Sequence, residues 1–185
     1  MSTRLIAVHL LRAVLHQGVS LEGAVSANEK FSALDSRDRA FVWLVVSTCL
    51  RRLGQIDELI AHCLDHPLPK EAQRINDILR IGFTQIIFVG TPPHAAVNVM
   101  VDMVPGHLHR YRKLVNAVLR RLVREGVEWV ESQDEEILNT PRWLWESWCS
   151  AYGNGLARKI SAAHLIEPPL DITPKGKPDL SLIHI

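Results

Sequence analysis

Cysteine is scarce in this chain and nowhere paired: Cys49, Cys63 and Cys149 are odd in number, far apart and without a C-x-x-C spacing. That excludes a disulfide framework and offers no zinc knuckle, and a reducing, cytoplasmic compartment fits such usage best. Long apolar runs are missing as well, since no uninterrupted stretch approaches the roughly 18 residues that suggest a membrane span. The apolar start, MSTRLIAVHLLRAVLHQG, is broken by Arg4, His9 and Arg12, and no small-residue cleavage site follows it. The sequence contains no G-x-G-x-x-G, no G-x-x-x-x-G-K-[ST] and no G-x-S-x-G, so the usual phosphate-cradling and nucleophile-elbow chemistries have no foothold. Nor is one sign of charge in excess. Lys and Arg number 21 against 20 Asp and Glu, a formal net charge of +1. Any affinity for nucleic acid must come from local clustering and not from a global field.

What is present is helical pattern. The 185 residues are 47% hydrophobic and 22% charged, enough for a core that needs no staple. In residues 3–17, Ala7, Val8, Leu11, Val14 and Leu15 share one helix face, with His9, Arg12 and His16 opposite. Ser20 is placed to cap a short second helix and Asp35 a third, with Asp38 favouring the positive end of that third helix's dipole. The third, RDRAFVWLVVSTCLRRLG, is apolar almost all round from Ala40 to Val46 and reads as a central, buried helix ending or bending at Gly54. Beyond QIDELIAHCL, Pro67 and Pro69 bracket a long helix running to Gly90, with Ile75, Ile78, Leu79 and Phe83 inward. Thr91 is placed to cap the next helix, with Pro92 or Pro93 in its first turn. Nothing in the first 126 residues reads as a strand. The prediction is an all-α bundle of about seven helices, followed by a helical linker.

The helix after Pro105-Gly106 carries the sharpest signal. In KLVNAVLRRLVREG, with the residues just before it, Tyr111, Leu114, Val115, Val118, Leu119 and Leu122 form a continuous apolar face. Arg110, Lys113, Arg120, Arg121 and Arg124 gather on the other side, Arg112 flanks them, and only Glu125 offsets the six cations. Phosphate binding needs several long cationic side chains on one rigid rod without carboxylates to neutralise them. A merely solvated outer face, with cations favouring the helix C-terminus, gives the same pattern, so both readings stay open on pattern alone. Arg4, Arg12, Arg51 and Arg52 add weak support for an RNA-facing surface.

Other candidates carry less. His107 and His109 are two apart and do not share a helix face, and no carboxylate follows within a turn, so metal binding is not expected. His94, after two prolines, reads as a packing or locally bonded residue, and His62 and His66 as surface residues. Trp145 and Trp148 fall with Leu144, Ala151 and Tyr152 on one apolar face, which reads as core packing and not as a base-stacking platform. Cys49 lies in the most apolar helix, where thiols are inert, and neither Cys63 nor Cys149 has an adjacent base. No catalytic residue is expected in this chain.

Three elements in order, AFVWLVVSTCLRRLGQIDELI, IGFTQIIFVGTPPHAAVN and YRKLVNAVLRRLVRE, resemble the NusB-like all-helical domain at the N-terminus of the bacterial 16S rRNA cytosine-5 methyltransferases (the RsmB, Sun or Fmu family). The later TPRWLWESWCSAYG and ISAAHLIEPPLDIT resemble that family's helical linker, so the likeness covers roughly residues 3 to 175. The resemblance implies a bundle in two helical subdomains. It also implies accessory recognition of ribosomal RNA for an S-adenosylmethionine-dependent enzyme, with the C-terminal methyltransferase domain as partner. The family's Gly-rich cofactor loop and its Pro-Cys and Thr-Cys motifs have no counterpart here, so no catalytic or cofactor-binding role carries over to Cys49, Cys63 or Cys149. The expected organisation is a NusB-like RNA-binding domain over 1–126 and a linker over 127–179, whose residues 167–179 form a proline-rich extended exit. LSLIHI at 180–185 matches nothing in the family and is read as a non-native tail. The rivals are a stand-alone NusB-like antitermination factor, against which the linker argues, and a helical protein-interaction module.

Overall fold

The computed structural model describes residues 2–168. Eleven α-helices and no strand occur among the described residues. The expected exit beyond residue 168 and the tail at 180–185 lie outside them. None of the helices is long and apolar enough to cross a membrane.

Some of the helices begin where a side chain takes up a free N–H group of the first turn. Helix α1 spans Thr3–Gln17 and ends at Gly18, whose φ of 68° is the left-handed conformation that glycine adopts without steric cost. Helix α2, Leu21–Ser26, has the Ser20 side chain accepting from Gly23 N–H. A one-turn α3, Glu29–Ser32, capped by Asn28, was not legible as a separate element. Asp35 caps α4, Ser36–Arg51, by accepting from Asp38 N–H at 2.7 Å. Helix α5, Leu53–Cys63, follows almost without a break. Helix α6 spans Gln73–Phe83 after a 3-10 turn at Lys70–Ala72.

The centre of the bundle is α6, not α4 as expected. Ile75, Asp77, Ile78, Leu79, Ile81, Gly82 and Phe83 are all buried, and α1, α4, α5, α7 and α8 pack around them. Helix α4 buries Val42, Val45, Val46 and Cys49 but leaves Trp43 40% and Leu44 38% exposed. Its apolar character all round reflects an unusually hydrophobic outer face, not burial on every side.

Helix α6 runs straight into a π-helical turn, Thr84–Phe88. Val89 N–H reaches back five residues to Thr84 C=O at 3.0 Å, and Thr91 N–H bonds Gln85 C=O at 2.8 Å. The wide turn aims the buried Gln85 side chain inward, where its amide donates to Ile81 C=O at 3.1 Å and its oxygen accepts from Arg4 Nε at 2.7 Å. Thr91 does not cap α7, Pro93–Asp102. The N-cap is Pro92 and no side chain caps the helix, because Pro93 already removes one free N–H from the first turn.

A 3-10 stretch, Gly106–Tyr111, leads into α8, Arg112–Glu131. This helix runs on through Gly126. It continues for five more residues, and the glycine serves packing: a Cβ there would lie 2.7 Å from Leu122 Cδ1 and 3.0 Å from Ile87 Cδ1. Three further helices follow: α9, Glu135–Leu138; α10, Arg142–Tyr152; and α11, Asn154–Leu165. The tryptophan face of α10 is not core. Leu144, Trp145 and Trp148 are only half-buried, against α11, while Trp143 is 70% and Tyr152 58% exposed.

Candidate nucleic-acid interface

Which side chains α8 presents outward follows from how it is held. Val115, Val118, Leu119, Leu122 and Gly126 face the bundle, and Gly82 of α6 lets Leu119 come close, since a Cβ there would sit 2.8 Å from Leu119 Cδ2. With that side fixed, the 3.6-residue period sends Lys113, Arg120 and Arg124 along the opposite ridge.

The six cations expected from sequence are therefore not one cluster. Lys113, Arg120 and Arg124 share the outer ridge of α8 and are exposed. Arg120 donates from Nε to Asn116 Oδ1 at 3.1 Å, which holds its plane while the terminal nitrogens keep no protein partner among the described residues. Arg124 donates to the Arg120 carbonyl at 3.3 Å and lies 3.6 Å from Glu125. Arg110 and Arg112 stand at the helix entrance. The first stacks over Tyr111 with its guanidinium 4.9 Å from the ring centre, and the second is ion-paired with Asp102 of α7. Arg121 lies on the far flank, 3.1 Å from Glu125 and over the Trp129 ring at 5.2 Å, with a weak bond to the His62 carbonyl of α5.

Three of the four supporting arginines, Arg4, Arg12 and Arg52, are engaged inside the bundle. Arg4 bonds Gln85, and Arg12 lies 3.2 Å from the buried Asp77 carboxylate. Arg52 pairs with Glu135 and bonds Gln55 at 3.0 Å. Their positive charge serves tertiary structure, because each meets a buried or partly buried acceptor that would otherwise be left unpaired.

Between α7 and α8 runs a surface groove in two parts. One, of about 520 Å³, is lined by Pro93, His94, Val97 and Asn98 from α7 and by Arg120, Val123 and Arg124 from α8. The other, of about 540 Å³, is lined by Val101, His109, Arg110, Arg112, Lys113 and Asn116. The N-terminus of α7 opens beside the first part and adds the positive end of its dipole. His94, Asn98 and His109 were not singled out as site residues from sequence. The i, i+4 spacing of His94 and Asn98 after a proline start was the available signal, but nothing in the sequence reported that the α8 ridge lay opposite.

The groove offers cations over an apolar floor. Its lining residues include no thiol and no carboxylate; of the carboxylates beside it, Asp102 is paired with Arg112 and Glu125 with Arg121. The thiols lie elsewhere: burial pushes Cys49 up to about 12 and Cys63 up to about 11, so neither is a nucleophile near neutral pH.

The NusB family model matches residues 1–124. The protein named ribosomal RNA small subunit methyltransferase B from Xanthomonas campestris is 37% identical over 127 residues, 68% of this chain and 29% of its own length. Its namesake from Xylella fastidiosa is 34% identical over 168 residues, 90% of this chain and 38% of its own. A third, from Thermus thermophilus, is 39% identical over 121 residues, 64% of this chain and 28% of its own. The chain thus spans about a third of the length of these relatives.

Proposed function

Since the chain belongs to the NusB family, we propose that it is an RNA-binding helical module of the kind found in small-subunit rRNA cytosine-5 methyltransferases. Its partner is ribosomal RNA, its setting is the cytoplasm, and the methyl transfer belongs to a catalytic domain whose motifs do not occur in these 185 residues. The observation that carries the reading is the exposed ridge of Lys113, Arg120 and Arg124 beside the α7–α8 groove. S-adenosylmethionine is expected to serve that catalytic domain. The residues here do not fit it, because its sulfonium cation would meet Arg120 and Arg124 in the groove.

The ridge works as a phosphate rail. Three cations on one rigid helix displace condensed counterions from an RNA backbone, and affinity of roughly 10⁻⁴ to 10⁻⁶ M at physiological salt is the expected scale for such non-specific contacts. Asn116 keeps Arg120 extended toward solvent, so the charge is preorganised before RNA arrives. The test is fluorescence anisotropy with a labelled 16S rRNA fragment at fixed salt. Changing Lys113, Arg120 and Arg124 to Glu should abolish binding while the helical circular dichroism is retained. Unchanged affinity would remove these residues from the site.

Stand-alone antitermination is the less favoured reading, because likeness to the methyltransferase relatives extends past the NusB stretch into α9–α11. Trp143 and Tyr152, exposed on α10, favour a protein contact there, which is compatible with a neighbouring catalytic domain.

A further inference from the structure

The segment after α8 reads in sequence as a linker, but its contacts with the bundle are those of a fixed part. At Gly54, in the first turn of α5, an added Cβ would overlap the carbonyl oxygen of Leu138, which is backbone and cannot rotate away. The last turn of α9 therefore lies directly on the α5 backbone, an approach that only glycine permits. Around this contact the polar groups interlock. Gln55 N–H donates to Asn139 Oδ1 at 3.1 Å, and Asn139 Nδ2 donates to Gln55 Oε1 at 2.9 Å. Gln133 exchanges further bonds with Gln55 and donates to Glu58 at 2.7 Å, and Arg52 pairs with Glu135.

The clamp extends outward. Arg158 of α11 holds Asp134 at 2.7 Å and Glu136 at 3.4 Å, and Thr140 bonds Ser161, which is buried. Helix α9 is thereby fixed on α5, and α11 is fixed on α9. Just beyond α11, Glu167 lines a surface groove together with Phe31, Arg39, Trp43 and Leu44, so the chain leaves α11 near α3 and α4.

We propose that α9–α11 is a rigid positioning arm, locked to the bundle by the Gly54–Leu138 contact and the Gln55–Asn139 pair. It fixes where the chain leaves α11 relative to the basic ridge of α8. The functional half of this inference rests on the RNA-binding reading; the mechanical half does not. In an enzyme of the proposed kind such an arm sets the offset between bound RNA and whatever chain follows, so Gly54, Gln55 and Asn139 are positioning residues that touch no RNA.

The experiment is a distance measurement between spin labels at Ser26→Cys on α2 and Ser150→Cys on α10, both exposed sites, in the 185-residue chain carrying Cys149→Ser. Cys49 and Cys63 are buried and stay unlabelled. The expected result is one narrow distance distribution, broadened or shifted by Gly54→Ala. Asn139→Ala, which removes both bonds to Gln55 without adding an atom, should act in the same direction, and Asn139→Gln should not restore the narrow peak because its longer stem displaces the amide. A broad distribution in the parent chain overturns the proposal, as does a narrow one that neither Gly54→Ala nor Asn139→Ala changes. RNA affinity measured on the same variants should be unaltered. Its loss only in the ridge variants, with the distance intact, would leave the arm standing; the absence of any RNA binding in the parent chain would remove the RNA reading alone.

Discussion

Asp77 is fully buried and touches three nitrogen-bearing side chains: Arg12 at 3.2 Å, His16 at 3.0 Å and Arg80 at 3.1 Å. Arg80 is held in turn by both oxygens of Asp57, at 2.7 and 2.8 Å. Replacing Asp77 with Ala leaves Arg80 with one partner fewer in a mostly buried place. The expected loss is about 2–4 kcal/mol, at or below the usual range for breaking a buried pair because Arg12 and His16 keep access to water; urea denaturation measures it, and a change under 1 kcal/mol would contradict the assignment. His9 supplies a pH dependence. Burial, then Arg74, Lys30 and Arg12, hold its pKa below the ordinary 6.5. Just below that value the folded chain binds fewer protons than the unfolded one, so this contribution is complete above 6.5 and is lost as pH falls through the depressed value. His9→Gln should therefore lose less melting temperature than the parent between about pH 7 and pH 5, and equal losses would clear His9 of the effect. Among thiols, Cys149 is half-buried while Cys49 and Cys63 are buried. Maleimide at neutral pH should label only Cys149 until denaturant is added; rapid labelling of Cys49 would mean that α4 opens readily.

At the scale of elements, Gly126→Ala tests how tightly α8 meets the π-helical turn. The added methyl meets the flexible ends of Leu122 and Ile87, so the expected cost is about 1–2 kcal/mol of overpacking without loss of fold, read from the denaturation midpoint. A glycine in a helical pattern reads as a stop in sequence, because composition reports what glycine tolerates and not which neighbour crowds it. The caps at Ser20 and Asp35 were legible, since a capping side chain bonds three residues ahead and leaves a local signature. The exposure of Trp43 was not, because outward apolar residues look identical to inward ones until the neighbours are placed. The basic ridge was half legible for the same reason. The helical period brought Lys113, Arg120 and Arg124 together, whereas the carboxylate that takes Arg112 comes from α7 and the carbonyl contacted by Arg121 comes from α5.

For the molecule as a whole, the near-neutral net charge makes the ridge a local feature on a balanced surface. If Lys113, Arg120 and Arg124 each meet one phosphate of a single strand, affinity should fall by roughly tenfold to twentyfold between about 50 and 200 mM salt, following a slope near −0.7 per phosphate. An affinity independent of salt would mean that the contact is not electrostatic. The π-helical turn at Thr84–Phe88 gives the groove a further dependence, on helical phase. Each residue advances an α-helix by about 100°, and the wide turn accommodates one residue more than α-helical winding would. Deleting a single residue between Thr84 and Phe88 would let the ladder close as ordinary helix with the downstream phase kept, whereas deleting one from the α-helical turns of α6 would rotate all that follows by about 100° and swing the α7 wall away from the α8 ridge. The shape of the α7–α8 groove is thus written in the number of residues in a helix that does not line it.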